Sequence, residues 1–275
     1  MSDLSNVTVI KPPTGFIPVD TRELLRYREL FYFLARRDIS VRYKQTILGG
    51  LWAVIQPAFS MIVFSLFFGR MAGMPSDGVP YPVFVYAGLL AWTYFSNAVS
   101  SAGESMISNS RLLTKVYFPR LIIPLSSALA GLMDLLVASS LLCVLLPYYG
   151  IMPGPQALLF PALILLVFLC AAGAGLWLSA LNVQYRDIRY VIPFLMQLWL
   201  FLSPVIYPAG IVPAKYRWLA ALNPMTGIIN AFRSCLVGTP MDWPGLGTSA
   251  AVTVLLLLSG VYYFRRMERE FSDII

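Results

Sequence analysis

Two sets of side chains have types and spacing suited to chemistry. Trp52, Gln56 and Phe59 fall at i, i+4 and i+7, and Tyr190, Phe194, Gln197 and Phe201 at i, i+4, i+7 and i+11. On a helix each set occupies one face, with an amide between aromatic rings. Aromatic faces stack on the C–H faces of sugar rings and amides hydrogen-bond hydroxyls, so both faces would suit a conduit for carbohydrate. The competing reading is packing: aromatics at helical spacing also fill cores and interfacial belts, and a membrane glutamine also glues helices. A third set is cationic. Arg36, Arg37, Arg42 and Lys44 crowd the entry to the first apolar run, where they could hold phosphate-bearing headgroups. Asp134 is the one acid well inside an apolar run. A charge at the bilayer centre costs ~2.5–3.5 kcal/mol, so this carboxyl must be neutral, paired or beside a polar cavity. A structural hydrogen bond is the role expected of it, because a proton relay needs several such groups.

Other chemistry is excluded by what the chain lacks. It has no histidine, the commonest general base and metal ligand, and its three cysteines lie far apart. No metal site is expected. No lysine follows a glycine, so the phosphate-cradling GxxxxGK[ST] loop is missing. Neither a GxSxG elbow nor paired loop carboxylates are present, and no catalytic residue is assigned.

The elements that must position these residues are membrane spans. Of 275 residues, 58% are hydrophobic and 12% charged, against roughly 25% charged in a soluble domain. Six apolar runs approach the ~20 residues needed to cross a bilayer: 48–68, 82–102, 121–146, 158–181, 188–207 and 246–264. With the N-terminus in the cytoplasm, 16 of the 20 Lys and Arg fall inside and four (Arg70, Lys215, Arg217, Arg233) outside, as the positive-inside rule requires. An all-α integral membrane fold follows, with both termini cytoplasmic. Its parts are a tail and amphipathic helix over 1–47, a membrane domain over 48–265 and a tail over 266–275.

Two segments are more than spans or loops. Residues 20–37 read as an amphipathic interface helix, with Asp20 and Glu23 as a capping box and Leu24, Tyr27, Phe31 and Leu34 on one face. In 208–245, short apolar pieces at 218–222 and 225–237 are split by Asn223-Pro224. That suggests a re-entrant hairpin, or else a lid on the membrane surface.

Four stretches resemble a known family: "LARRDISVRYKQTILGGLWAVIQP" over 34–57, "YFPRLIIPL" over 117–125, "LNVQYRDIRYVIP" over 181–193, and "SPVIYP" over 203–208 with "LNPMTGIINAFR" over 222–233. In this order they resemble the permease of ABC-2 type exporters, in the polysaccharide branch that handles O-antigen and teichoic acid. The resemblance implies a homodimer with two copies of a separate ATPase, which would bind ATP and Mg; no cofactor is implied for this chain. It implies a polyprenyl-diphosphate-linked polysaccharide as cargo, most simply O-antigen, and a cytoplasmic (inner) membrane location, with no nucleic-acid partner. It also implies a coupling helix in the loop 103–120, at Ser108–Lys115, with Ser108, Asn109, Arg111 and Lys115 facing the ATPase. The alternatives are a permease for teichoic acid, capsule or a small lipid or drug. Further off stand a membrane-embedded glycosyltransferase, for which Asp187 and Asp242 are loop carboxylates near the membrane but on opposite sides, and a secondary transporter.

Overall fold

A computed structural model describes residues 25–44, 49–113, 115–268 and 271. All regular structure among them is helical. Asp20, Glu23 and Leu24 of the expected capping box and apolar face lie outside the described residues, as does the start of the first run at Leu48.

Helix α1 (Arg28–Lys44) extends beyond the expected end at residue 37. Arg42 and Lys44 sit in its last turn, where cations complement the C-terminal end of the helix dipole. Its apolar face is the one the spacing indicates: Leu34 is buried, with Tyr27 and Phe31 half-buried around it. Helix α2 (Trp52–Phe64) follows and runs on as π-turns over Ser65–Met71. Helix α3 (Tyr81–Ser108) is the hub, buried without a break from Val83 to Trp92. A helix buried all round lies inside a bundle. Next come one turn, α4 (Ser110–Leu113), and a segmented rod of α5 (Ile122–Ala130), α6 (Leu132–Ser139) and α7 (Leu142–Tyr148). Helix α8 (Phe160–Gln184) packs between α3 and the last long helix, α12 (Trp243–Met267). Between them lie α9 (Ile188–Leu202), α10 (Arg217–Leu222) and α11 (Pro224–Val237).

Four stretches are long and apolar enough to cross a membrane: Gly49–Met71, Ile122–Tyr148, Pro155–Gln184 and Trp243–Met267. The expected second span, α3, is long enough but is diluted by Thr93, Ser96, Asn97, Ser100 and Ser101. The expected fifth span falls short. Helix α9 has 15 residues, about 22 Å of helix against a hydrocarbon core of ~30 Å. It stops because Pro204 forces Ser203 into extended backbone.

The division at Asn223-Pro224 is as read. The Asn223 side chain accepts from the Met225 amide at 3.0 Å and caps α11. Helix α11 is buried along most of its length, a core element rather than a surface lid. Arg233, expected in an outer loop, is carried into the core with it. Its Nε donates to Phe84 O at 3.1 Å, its Nη2 to Val205 O at 2.6 Å, and its guanidinium lies 3.6 Å from the Phe84 ring centroid. Gly88 makes room, since a Cβ there would fall 2.8 Å from Arg233 Nη2. We expect Gly88→Ala to displace the guanidinium and lower the detergent melting temperature by several degrees, an overpacking cost of ~1–3 kcal/mol. A melting curve matching wild type would contradict that.

Candidate functional site

The two aromatic faces lie on helices that both pack against α3. Helix α2 turns Pro57, Met61 and Phe64 toward the bundle. Its opposite face presents Trp52, Gln56 and Phe59. Helix α9 buries Ile192 and Met196 and presents Tyr190, Phe194, Gln197 and Phe201. All seven residues are exposed in the single chain, and Trp52, Phe59 and Phe194 are 54%, 65% and 61% exposed. Their exposure leaves the faces available to lipid, a conduit or a second copy, with Trp52 and Gln56 at the rim of the bundle. Arg189 stacks on Tyr190, 4.6 Å from the ring centroid, and donates to its hydroxyl at 2.6 Å.

The four cations divide into two kinds. Arg36 and Lys44 are exposed. Arg37 pairs with Asp38 at 2.8 Å and donates to Asn109 Oδ1 at 2.8 Å. Arg42 pairs with Asp134 at 2.6 Å and donates from Nη2 to Ser101 Oγ at 2.9 Å. The Tyr43 hydroxyl donates to the other Asp134 oxygen. Burial first, then that hydrogen bond and the carboxylate's charge, push the Tyr43 hydroxyl up to about 12, so it remains a donor at neutral pH. Asp134 therefore sits at the level where α1 ends and α2 begins, and it has a counter-ion there. An unpaired acid on an apolar rod would be expensive.

The coupling residues follow the end of α3. Ser108 Oγ donates to Glu104 O at 3.0 Å. Asn109 closes α3 and its Nδ2 donates to Ser105 O at 2.8 Å. Arg111 lies in α4, Lys115 just beyond it, and Thr114 outside the described residues. The expected helix over Ser108–Lys115 is thus the end of α3 plus a single turn. Asp38 extends the links of α1 to a third helix, accepting from Ser127 Oγ at 3.1 Å on α5.

Sequence spacing does not reveal that residues from different sets share one cavity. It measures about 190 Å³ and lies between the end of α1, α2, α3 and α6. Arg42, Trp52, Gln56 and Asp134 line it together with Thr93 and Asn97. Asn97 had a legible signal, a lone amide near the middle of an apolar run.

Known proteins match this chain over most of its length. The family described as ABC-2 type transporter matches residues 29–237. The chain is 33% identical over 258 residues to the O-antigen export system permease protein RfbA of Myxococcus xanthus, covering 92% of this chain and 98% of the relative. It is 26% identical to the Klebsiella pneumoniae protein of the same name, covering 90% and 95%. It is 22% identical to the polysialic acid transport protein KpsM of Escherichia coli, covering 84% and 91%. With matches that span nearly the whole chain and contain its exposed aromatic faces, the protein belongs to the ABC-2 type transporter family.

Proposed function

We propose that this chain is the membrane permease of an ATP-driven exporter that moves a polyprenyl-diphosphate-linked polysaccharide, O-antigen first, across the cytoplasmic membrane. The observation that carries the reading is the near full-length likeness to an O-antigen export permease. The two exposed aromatic–amide faces support it, because a glycan conduit needs such surfaces outside the fold's own core. Capsular polysaccharide is the second cargo class, favoured by the likeness to KpsM.

The working unit in this reading is a homodimer flanked by two copies of a separate ATPase, which binds ATP and Mg and supplies the energy. Six crossings are made by α2, α3, the α5–α7 rod, α8, α9 completed by the buried segment 203–206 that follows it, and α12, with α10 and α11 forming a re-entrant hairpin on the outer side. Both termini are cytoplasmic, and α1 lies along the inner interface. Closure of the ATPases pushes on Ser108–Lys115. The Arg37–Asn109 hydrogen bond passes that push into α1. The glycan then slides between the aromatic faces of α2 and α9.

Exposed cations are the ones available to a diphosphate, so Arg36 and Lys44 are its first contacts, with Arg37 and Arg42 close behind. A double Arg36→Gln/Lys44→Gln permease is expected to insert normally and to lose several-fold in export. Normal export from that variant would remove the diphosphate role. Trp52→Ala/Phe59→Ala/Phe194→Ala tests the conduit: surface glycan and glycan-stimulated ATP hydrolysis should both fall, with an unchanged detergent melting temperature. The reading as a whole is tested by co-purifying the permease with its ATPase and measuring ATP hydrolysis against lipid-linked glycans. A complex indifferent to every such glycan would refute it.

A further inference from the structure

We propose that the cavity where α1 ends against α2, α3 and α6 is a binding subsite for a single sugar ring, read by the Asp134–Arg42 pair and the side chains of Gln56, Thr93 and Asn97, and flanked by Trp52. The inference rests on the polysaccharide-export reading and adds to it the point at which the chain first grips its cargo by hydroxyl groups.

Size sets the first limit. A cavity of about 190 Å³ is far above the ~10–15 Å³ that one water needs, and it has room for a sugar ring. Charge sets the second. Arg42 and Asp134 are the charged groups in the lining, and they neutralise one another at 2.6 Å. The lining therefore offers no net charge to draw in a phosphate. A neutral ligand rich in hydroxyls needs none.

Hydrogen-bonding capacity is the third argument. Each Asp134 oxygen has one partner, Arg42 on one and Tyr43 on the other, and each keeps a second lone pair. The side chains of Gln56, Thr93 and Asn97 have no hydrogen-bond partner among the described residues. Asn97 is the most telling of these. It is exposed near the middle of the 28-residue helix α3. An amide left bare in hydrocarbon is costly, so this one faces water or a polar ligand. Acceptors on Asp134, mixed donors and acceptors on two amides and a hydroxyl, and an indole at the edge form the set by which proteins hold sugar rings. The pair also fixes the site mechanically, since Arg42 ties it to Ser101 on α3.

The permease–ATPase complex in nanodiscs is titrated with polyprenyl diphosphate carrying one hexose and with bare polyprenyl diphosphate. The glycosylated lipid is expected to bind about tenfold tighter, as a site built around hydroxyl hydrogen bonds requires. Asn97→Ala and Gln56→Ala should each reduce that ratio to about twofold. Neither side chain has a partner to lose, so both variants should elute and melt like wild type. Equal binding of the two lipids by wild type, or an undiminished ratio in both variants, overturns the subsite. Export of lipid-linked polysaccharide by cells is scored alongside. If wild type exports but does not distinguish the two lipids, the subsite alone fails. If wild type exports no lipid-linked polysaccharide, the export reading fails and the subsite with it.

Discussion

A Gly173→Leu permease is expected to yield no monodisperse protein in detergent. Helix α8 is gripped from two sides through small residues. A Cβ on Gly173 would lie 2.8 Å from Leu257 N and 2.9 Å from Leu257 Cα on α12. From the other side, a Cβ on Gly260 would lie 2.6 Å from Gly173 O. A Cβ on Gly175 would meet the Ala102 Cβ of α3 at 2.6 Å. At Gly173 the obstacle is backbone, which cannot swing aside as a side chain can. Small residues let membrane helices approach closely and gain dispersion contacts along their length. A leucine must therefore separate α8 from α12 and open the contact from Cys170, buried on α8, to Thr253, buried on α12. Overpacking costs ~1–3 kcal/mol even where neighbours adjust, and here they cannot. Gly173→Ala should be intermediate, folded but melting well below wild type. Gly247→Ala on α12 is the control: a Cβ there meets nothing within 4 Å, so its melting temperature should equal or exceed that of wild type. Size-exclusion and thermal-shift measurements decide, and a Gly173→Leu protein that elutes and melts like wild type would show that the crossing is not what limits this fold.

What the sequence revealed was local. The apolar face of α1 follows from Tyr27, Phe31 and Leu34 standing three or four residues apart, and the break between α10 and α11 follows from Asn223-Pro224. Both depend on neighbours along the chain. Hidden features depended on distant partners. Arg42 and Asp134 are 92 positions apart, and each alone admits a different reading, a headgroup cation and an intramembrane acid. Arg233 reads as an outer-loop charge until the carbonyl of Val205, freed beyond the end of α9, is seen to receive it. Hydropathy also misjudged α3. It finds the apolar edge near Ala102, whereas the helix continues to Ser108 through residues that pack on α8, with Met106 in the same apolar cluster as Leu34 of α1. The run Ala171-Ala172-Gly173-Ala174-Gly175 reads as apolar filler, although its small size is what lets three helices meet.

The second large effect is expected at the Arg42–Asp134 pair, and only a double-mutant cycle reads it correctly. Arg42→Met leaves the Asp134 carboxylate with Tyr43 alone, and Asp134→Leu leaves Arg42 with Ser101 alone. Removing one partner of a fully buried pair costs ~3–5 kcal/mol. These two side chains keep 30% and 25% of their exposure, so each single change should cost less, about 2 kcal/mol after solvent screening. Arg42→Met should be the worse of the two, since it strands the charge on the apolar rod. The double variant Arg42→Met/Asp134→Leu removes both charges and should recover most of the lost stability, because well-packed apolar pairs replace buried ion pairs at little cost. Independent effects add to within ~0.5 kcal/mol, so simple additivity in the thermal-shift cycle would show that the two side chains do not depend on one another. Recovery of folding without recovery of export carries the further meaning. A pair kept only to hold α1 against α6 is dispensable once the apolar pair restores the fold. A pair that also presents a carboxylate to the cargo is not, and the doubly substituted permease should fold, bind its ATPase and still export poorly.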